Sequence, residues 1–237
     1  MKAIILNSGL GSRMGVYTKE HPKCMTDLVT GETILSRQLS LLVKNGITDV
    51  LLTTGYYDEV LSDYCKSLNL PINFEFVKNP IYDKTNYIYS IYCARELIDN
   101  QDVLLLHGDL VFEDSVLKMA IESKDSCMTV SSTQSLPEKD FKAVLDNGKI
   151  VKVGIEFFDN AVAAQPLYKL NAKDWTVWLA EIVKFCESDT VKCYAENAFN
   201  VVSDKCEILP LDFKDKLCAE IDNPVDLENM NNILKTL

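Results

Sequence analysis

Short apolar runs alternate with amphipathic segments through the first half of the chain, and this alternation restricts the possible folds to a small set. The apolar runs are typical of buried strands, and the segments between them carry apolar residues at helical spacing, as Leu35, Leu39 and Leu42 do. Strands that alternate with helices pair in parallel through right-handed crossovers. The predicted strands are residues 2–6, 49–54, 73–77 and 102–106, and the predicted helices are residues 33–45, 57–68 and 86–98.

The second half has a different pattern, dominated by strands. One helix intervenes, with Trp175 and Trp178 on its apolar stripe, and a last helix capped by Asn223 closes the chain. No repeat, low-complexity stretch or linker divides the sequence. We therefore expect one α/β domain with a mixed, mostly parallel central sheet flanked by helices. The strand-like segments of this half are residues 128–132, 141–145, 149–155 and 161–170, with a hairpin turn at residues 146–148.

Composition excludes several classes of partner. The 237 residues are 47% hydrophobic and 25% charged, as in an average globular protein. The net charge of −11 argues against nucleic acid and anionic membranes as partners, since both require basic surface. No apolar run is long enough to span a membrane, and Met1-Lys2 leads into a strand rather than a signal peptide. The eight cysteines include no C-x-x-C pair, so we expect reduced, buried thiols and a cytoplasmic location.

A glycine-rich turn follows the first predicted strand. It contains Gly9, Gly11 and Gly15, it carries Arg13, and Pro22-Lys23 closes the segment. Glycine has no Cβ, so main-chain N–H groups in such a turn can approach a phosphate closely. Arg13 and Lys23 add positive charge to an otherwise acidic chain. The segment predicts a polyphosphate cradle, and an ordinary glycine-rich turn with surface cations is the alternative.

The spacing within this turn differs from two commoner phosphate loops. The dinucleotide fingerprint G-x-G-x-x-G would need glycine at Met14, and no G-x-x-x-x-G-K-[ST] run occurs. The pattern G-x-G-[ST]-R-[LM] followed by P-K instead resembles the entry loop of the nucleotidyltransferases, which move an NMP from an NTP onto a phosphate. Residues 82–90 resemble the Y-x-x-x-N-x-x-Y-S segment of choline-phosphate and phosphonate cytidylyltransferases, which also share the late E-I-D of residues 220–222. The resemblance runs nearly end to end and implies a Rossmann-like nucleotidyltransferase domain of the GT-A type.

Nucleotidyl transfer brings two anions together, so the resemblance implies Mg²⁺ held by carboxylates. Asp109 follows the fourth predicted strand and Asp222 precedes the last helix, so both are expected to bind the metal. A turn role for Asp109 and a helix-cap role for Asp222 are the alternatives. Arg13 and Lys23 are the predicted catalytic residues, acting on the triphosphate. His107 is expected to pack at a strand end, because a phosphate or phosphonate dianion needs no base.

The resemblance implies CTP as the nucleotide. Main-chain groups of the first turn and side chains of the segment after Tyr82 are expected to read the cytosine. Helix capping and polar surface are the alternative roles of Asn86 and Ser90. The predicted nucleotide-binding residues are Leu6, Asn7, Ser8, Gly9, Gly11, Ser12, Arg13, Thr85, Asn86 and Ser90.

The acceptor is expected under the second half, so residues 1–110 form a nucleotide-binding half and residues 111–237 an acceptor-binding half of one domain, residues 1–237. The choline-phosphate relatives have Y-W-D-N where this chain has Y-A-E-N, and Ala195 removes an aromatic wall suited to a quaternary ammonium. Glu196 is expected to bind a primary amine instead. Lys142 is expected to meet phosphonate oxygens, with a surface role on an edge strand as the alternative. The predicted acceptor-binding residues are Lys142, Tyr194, Glu196 and Asn197.

Together these features predict a Mg²⁺-dependent cytidylyltransferase that joins CTP and 2-aminoethylphosphonate to give CMP-aminoethylphosphonate and pyrophosphate. Phosphocholine is the second acceptor considered, and a sugar 1-phosphate is the third. A catalytically silent, nucleotide-binding regulatory domain is the alternative from another class of protein. Metal-dependent release of pyrophosphate would distinguish the enzyme from the regulatory domain.

Overall fold

The strand–helix alternation of the first half forms the parallel part of a central sheet. The computed structural model describes all residues, 1–237. The first-half elements are β1 (Lys2–Leu6), α1 (Ile34–Lys44), β2 (Asp49–Thr54), α2 (Asp58–Ser67), β3 (Asn73–Lys78), α3 (Tyr87–Ile98) and β4 (Val103–His107), with short 3-10 helices at Ser12–Thr18 and Lys23–Met25. β1 lies between β2 and β4 and pairs in parallel with both, and β3 extends the sheet in parallel beyond β2. The residues that follow β1, β2 and β4 therefore meet at one edge of the sheet.

The second half completes the sheet with strands of both directions. Its elements are β5 (Leu110–Phe112), α4 (Asp114–Glu122), β6 (Ser126–Ser131), β7 (Lys142–Asp146), β8 (Lys149–Gly154), β9 (Ala161–Leu170), α5 (Ala172–Glu187), α6 (Ala195–Val202), β10 (Ile208–Asp212), β11 (Cys218–Glu220) and α7 (Pro224–Leu234), with a 3-10 helix at Ser203–Lys205. The strand order is β10-β6-β9-β4-β1-β2-β3, and the β7–β8 hairpin is attached to β9 through β7. β9 runs antiparallel to both β4 and β6. β5 and β11 form a separate two-stranded sheet.

Both faces of the central sheet are buried. In β1, Ile4 and Leu6 pack into one apolar cluster while Ala3 and Ile5 pack into the other, on the opposite face. This is why β1 reads as a continuous apolar run instead of an alternating one. Trp175 of α5 is fully buried in the first cluster, as its place on a helical stripe predicted.

The last helix is packed against the glycine-rich loop that follows β1. Asn223 caps α7 by accepting hydrogen bonds from the main-chain N–H groups of Val225 and Asp226, at 2.8 and 3.2 Å. Met230 of α7 and Met14 of the loop belong to one small apolar cluster. The end of the chain is thereby brought to the beginning of the chain, at the edge where β1 and β4 end.

The predicted fold class is confirmed, whereas the helix content of the second half was underestimated. Two helices that the sequence did not predict are present, α4 and α6, in addition to α5 and α7. Both are short, and neither repeats its apolar positions over enough turns to stand out against the neighbouring strands. None of the helices combines the length and apolar character needed to cross a membrane.

Candidate active site

The glycine-rich loop brings a lysine against the end of β1. Gly11 has a φ of 62°, in the left-handed region, and directly precedes the 3-10 helix Ser12–Thr18. A Cβ at Gly11 would lie 3.0 Å from Cβ of Lys23. Glycine at this position therefore permits both the turn and the close approach of Lys23.

A second close approach joins the ends of β1 and β4. A Cβ at Gly108 would overlap the side-chain amide of Asn7, so only glycine fits there without a shift. The main-chain N–H of Gly108 also donates to the carbonyl of Leu6, at 3.1 Å. Asp109, the next residue, is thereby placed beside the loop that carries Lys23.

Lys23 lies between the two carboxylates that the sequence predicted as metal ligands. Its Nζ forms an ion pair with Asp109 and another with Oδ1 of Asp222, the latter at 2.9 Å. Arg13 donates to the same oxygen of Asp222, also at 2.9 Å. The cations and carboxylates predicted from sequence thus form one cluster.

The two cations of the cluster differ in solvent exposure, and exposure decides how strongly each interacts with the carboxylates. The side chain of Lys23 is 15% exposed whereas that of Arg13 is 69% exposed. Burial alone would lower the pKa of Lys23, but Asp109 and Asp222 more than offset it and raise that pKa. Burial would raise the pKa of Asp109, and Lys23 and His107 overcome it, so that pKa is lowered. Both shifts favour the charged forms of Lys23 and Asp109.

Glu220, which the sequence analysis did not assign to the site, lies next to Asp109. His107, Asp109 and Glu220 each offer a ligand atom, and these atoms lie within 4.8 Å of one another. Nδ1 of His107 is 3.0 Å from Oε1 of Glu220. Burial and the Asp109 carboxylate raise the pKa of Glu220 to about 7. The signal for Glu220 was present in the sequence, because it is the first residue of the E-I-D motif.

The donor set fits a divalent cation. Oδ1 of Asp109 is buried and has no hydrogen-bond partner, which is costly for a carboxylate oxygen unless a cation completes the site. Carboxylate oxygens are the ligands that Mg²⁺ prefers. Asp109, Glu220 and Asp222 could therefore supply oxygen ligands, with His107 holding Glu220 in place.

A cavity of about 320 Å³ opens between the glycine-rich loop and the start of α3. Its floor includes Asn79, which is 1% exposed and which the sequence analysis missed. Nδ2 of Asn79 donates to Oγ1 of Thr85 and to Oγ of Ser90, at 3.0 and 3.1 Å. Asn86 caps α3 through a 2.7 Å bond from the N–H of Tyr87 and still faces the cavity. The predicted residues that line this cavity are Leu6, Asn7, Ser8, Gly9, Gly11, Ser12, Arg13, Lys23, Thr85, Asn86, Ser90, Asp109 and Asp222.

A second cavity, of about 340 Å³, adjoins the first and shares Arg13, Asp109 and Asp222 with it. Four aromatic rings lie beside it, and each is next to two of the others: Tyr87, His107, Phe141 and Tyr194. The ring centroids of Tyr87 and His107 are 4.7 Å apart and those of Phe141 and Tyr194 are 5.1 Å apart. The ring centroids of Tyr87 and Tyr194 are 5.8 Å apart, and those of His107 and Phe141 are 6.3 Å apart. Of the four predicted acceptor-binding residues, only Tyr194 lines this cavity.

Lys142 does not reach the second cavity. Adjacent side chains in an extended chain point to opposite sides, so with Phe141 facing the cavity, Lys142 points away from it. Its side chain is fully buried, and Nζ donates to the carbonyls of Pro137 and Asp140, at 2.6 and 3.1 Å. This placement corrects both expectations for Lys142, a phosphonate contact and an exposed surface lysine.

Glu196 and Asn197 are also placed away from the second cavity. Glu196 is 1% exposed and accepts hydrogen bonds from the hydroxyls of Tyr87 and Tyr168, the latter at 2.8 Å. Asn197 accepts from the N–H of Tyr194 at 2.9 Å and completes the cap of α6. In the first turn of α6, Glu196 and Asn197 point in other directions than Tyr194 does. Neither side chain is therefore placed to touch a bound acceptor directly.

The chain belongs to the nucleotidyltransferases, as the loop and the carboxylate cluster predicted. A family model described as the MobA-like NTP transferase domain matches residues 3–141, more than half of the chain. Several of the similar proteins are named as cytidylyltransferases. A CTP:phosphoglutamine cytidylyltransferase of Campylobacter jejuni is 30% identical over 205 residues, covering 79% of this chain and 78% of that protein.

Other relatives match over smaller shares. A CMP-5'-(3-aminopropyl)phosphonate synthase of Streptomyces rubellomurinus is 34% identical over 137 residues, which is 58% of this chain but 22% of that protein. A 2-aminoethylphosphonate cytidylyltransferase of Lancefieldella rimae is 28% identical over 152 residues, 64% of this chain and 60% of that protein. The structure of an inositol-1-phosphate CTP transferase from T. maritima superimposes with a TM-score of 0.78 at 24% identity, covering 100% of this chain and 97% of that one. This last likeness supports the shared fold.

Proposed function

We propose that the protein is a Mg²⁺-dependent cytidylyltransferase that transfers CMP from CTP to 2-aminoethylphosphonate, releasing pyrophosphate. The observation that carries the proposal is the pair of adjoining cavities, which share Arg13, Asp109 and Asp222. One cavity has the glycine-rich loop and polar floor suited to a nucleoside triphosphate. The other has the aromatic rings and mixed charges suited to a small zwitterion.

The reaction needs charge neutralisation more than proton transfer. An oxygen of the phosphonate dianion bonds to the α-phosphorus of CTP, the bond from that phosphorus to the β-phosphate oxygen breaks, and pyrophosphate leaves. Mg²⁺, when bound by the carboxylates, would neutralise phosphate charge. Lys23 and Arg13 would offset the remaining charge of the triphosphate, with the main-chain N–H groups around Gly9 and Gly11 as further donors.

Recognition of cytosine is proposed for the polar groups at the start of α3. The Asn79 amide donates one hydrogen bond to Thr85 and one to Ser90, so both of its N–H hydrogens are engaged. The hydroxyl of Thr85 donates to the carbonyl of Ile81 at 3.0 Å. The hydroxyl hydrogen of Ser90 has no acceptor within the protein. It is therefore free to donate to an acceptor atom of the base, such as the cytosine carbonyl.

The second cavity offers both kinds of partner that an aminophosphonate requires. Tyr87, Phe141 and Tyr194 present aromatic surface to an ammonium group, and Glu220 and Asp140 add negative charge. Arg13 and Lys139 add positive charge for the phosphonate. Tyr87 and Arg13 belong to residues 1–110, the half expected to bind only the nucleotide, yet both line the second cavity. We therefore propose that the acceptor is bound by residues of both halves.

Two other acceptors have specific support. Four neighbouring aromatic rings could receive the quaternary ammonium of phosphocholine. The Campylobacter relative that matches over most of both chains is named for phosphoglutamine, a small molecule that also carries both an amino group and a phosphoryl group. A sugar 1-phosphate has no ammonium group to meet the aromatic rings and is the weakest candidate.

A pyrophosphate-release screen tests the proposal. Four nucleoside triphosphates would be tested against 2-aminoethylphosphonate, phosphocholine, phosphoglutamine and glucose 1-phosphate, with and without Mg²⁺. We expect release with CTP and 2-aminoethylphosphonate, and only with Mg²⁺. A preference for phosphocholine or phosphoglutamine would change the acceptor and leave the cytidylyl transfer standing, whereas release with another nucleotide would contradict the CTP assignment.

A further inference from the structure

Lys142 is a buried ammonium group that the proposed reaction does not use. It is 0% exposed, and its Nζ lies 4.3 Å from the ring centroid of Phe158. Its two hydrogen bonds go to the carbonyls of Pro137 and Asp140, and no carboxylate pairs with it. Removing a charge from water without an ion-pair partner in contact is costly, and the burial of Lys142 lowers its pKa even though Asp140 and Glu156 lie near enough to offset part of that cost. The presence of lysine at this costly position points to a role for the geometry that its two hydrogen bonds impose.

The carbonyls that Lys142 binds belong to residues 137–140, which we call the acceptor strap. The main chain of residues 135–140 makes no hydrogen bond to other main-chain groups. The two bonds from Lys142 are the only hydrogen bonds that hold this segment. The position of the strap therefore depends on one side chain, which anchors it at both of its ends.

The strap forms the outer wall of the second cavity. Lys139 and Asp140 line that cavity together with Arg13 and Asp222, which also line the nucleotide cavity. Lys139 is exposed and has no carboxylate within ion-pair distance, so its charge is available to a ligand. Arg13 and Lys139 are thus two cations in the cavity where the acceptor must meet the α-phosphate.

We propose that Lys142 is a positioning residue that holds the acceptor strap so that Lys139 binds the phosphonate or phosphate group of the acceptor. The proposal rests on the proposed cytidylyl transfer and specifies its acceptor as a small molecule with a dianionic phosphoryl or phosphonyl end. Lys142 acts through the strap, whereas Lys139 contacts the substrate. The cation that the sequence suggested for the acceptor is therefore reassigned from Lys142 to Lys139.

The kinetic test replaces Lys142 by methionine, which keeps the length and apolar contacts but removes the donors. Lys142→Met is expected to raise KM for the acceptor by roughly 10-fold or more, because a displaced binding group loses its alignment. The KM for CTP and the kcat at saturating acceptor should change less than about 3-fold, because none of residues 137–140 lines the nucleotide cavity. Lys152→Met is the matched control, since Nζ of exposed Lys152 also lies over an aromatic ring, 5.6 Å from Phe157. Equal acceptor KM in the two variants, or a parallel loss of kcat and CTP affinity, would overturn the proposal.

A second pair of variants is independent of whether Lys142→Met folds. Lys139→Gln removes an exposed charge and is expected to raise KM for the acceptor by roughly 10- to 100-fold, the size of one lost charge-assisted hydrogen bond. Lys173→Gln is the control, because Lys173 is exposed at the opposite end of the sheet, where the N–H of Ala172 bonds to Asp102. An unchanged acceptor KM in Lys139→Gln would overturn the role of the strap.

Limited trypsin digestion separates failure of this inference from failure of the proposed function. Trypsin cuts after Lys139, and this bond should be cut several times faster in Lys142→Met than in the parent or in Lys152→Met. Equal cutting rates would contradict the anchoring by Lys142 even if no acceptor were turned over. Faster cutting with no turnover of any acceptor would instead refute the cytidylyl transfer and leave the anchor standing.

Discussion

At the scale of single residues, the site depends on how one lysine is shared between two carboxylates. Lys23 bonds to Asp109 and Asp222 at once, and Arg13 bonds to Asp222 from the exposed side. Triphosphate and metal would compete for the same groups, the phosphates for the cations and Mg²⁺ for the carboxylates. The cluster therefore has the composition of a site that exchanges internal ion pairs for ligand contacts.

Replacing Lys23 by alanine tests the cation. Turnover is expected to fall roughly 10²-fold or more, the usual effect of removing one electrostatic stabiliser from an active site. The far-UV circular dichroism should match the parent, since the core of the sheet does not include this side chain. Lys19→Ala is the control, because Lys19 is exposed and lies outside both cavities. Normal turnover in Lys23→Ala would remove Lys23 from the catalytic machinery.

Replacing either aspartate by asparagine tests the metal. Asp109→Asn and Asp222→Asn keep the shape of the side chain but discard an anionic ligand, and Mg²⁺ binds through few protein carboxylates. Each variant is expected to need at least about 10-fold more Mg²⁺ for half-maximal pyrophosphate release, or to be inactive. If Asp222→Asn titrated with Mg²⁺ as the parent does, Asp222 would be a partner of Lys23 and Arg13 alone.

At the scale of elements, strand ends and helix caps place the charged groups. β4 delivers His107 and Asp109, and the short β11 delivers Glu220 two residues before Asp222. Asn223 then starts α7 at a fixed point, because its side chain caps the helix. The cap therefore fixes the direction in which the chain leaves Asp222.

Removing this cap should cost stability. Asn223→Ala loses the hydrogen bonds to the first turn of α7, and the free energy of unfolding is expected to fall by about 1 kcal/mol. Asn232→Ala, on the exposed side of the same helix, is the control and should be neutral or slightly stabilising because alanine favours helix. Urea denaturation of both variants would measure the difference. Equal stabilities would show that the cap is not needed to hold α7.

The loop and the acidic residues could be predicted because their signals are local. A glycine turn after a strand, and an aspartate at a strand end, occupy the same edge of the sheet in any parallel arrangement. Lys142 and Glu196 could not be placed in this way, since one residue of strand register or a rotation about a helix decides which side a group faces. Asn79 was missed because an isolated asparagine before a proline looks like an ordinary loop residue.

At the scale of the whole molecule, the acidic chain gathers its positive charge where a polyphosphate would bind. The net charge is −11, yet Arg13, Lys23 and Lys139 all line the two cavities. The family, fold and enzyme class agree with this arrangement. We propose that the cytidylyl group is transferred to the phosphonate at the wall that the two cavities share.

The most direct measurement is a ³¹P NMR spectrum of the reaction with CTP, Mg²⁺ and 2-aminoethylphosphonate. We expect loss of the free phosphonate signal, two coupled signals of a phosphonate–phosphate anhydride, and one equivalent of pyrophosphate. Omission of Mg²⁺ should leave the starting signals unchanged, and Asp109→Asn should slow or abolish their loss at the same Mg²⁺ concentration. Release of pyrophosphate with CMP and unchanged phosphonate would mean hydrolysis instead of transfer, and the protein would then not be a phosphonate cytidylyltransferase.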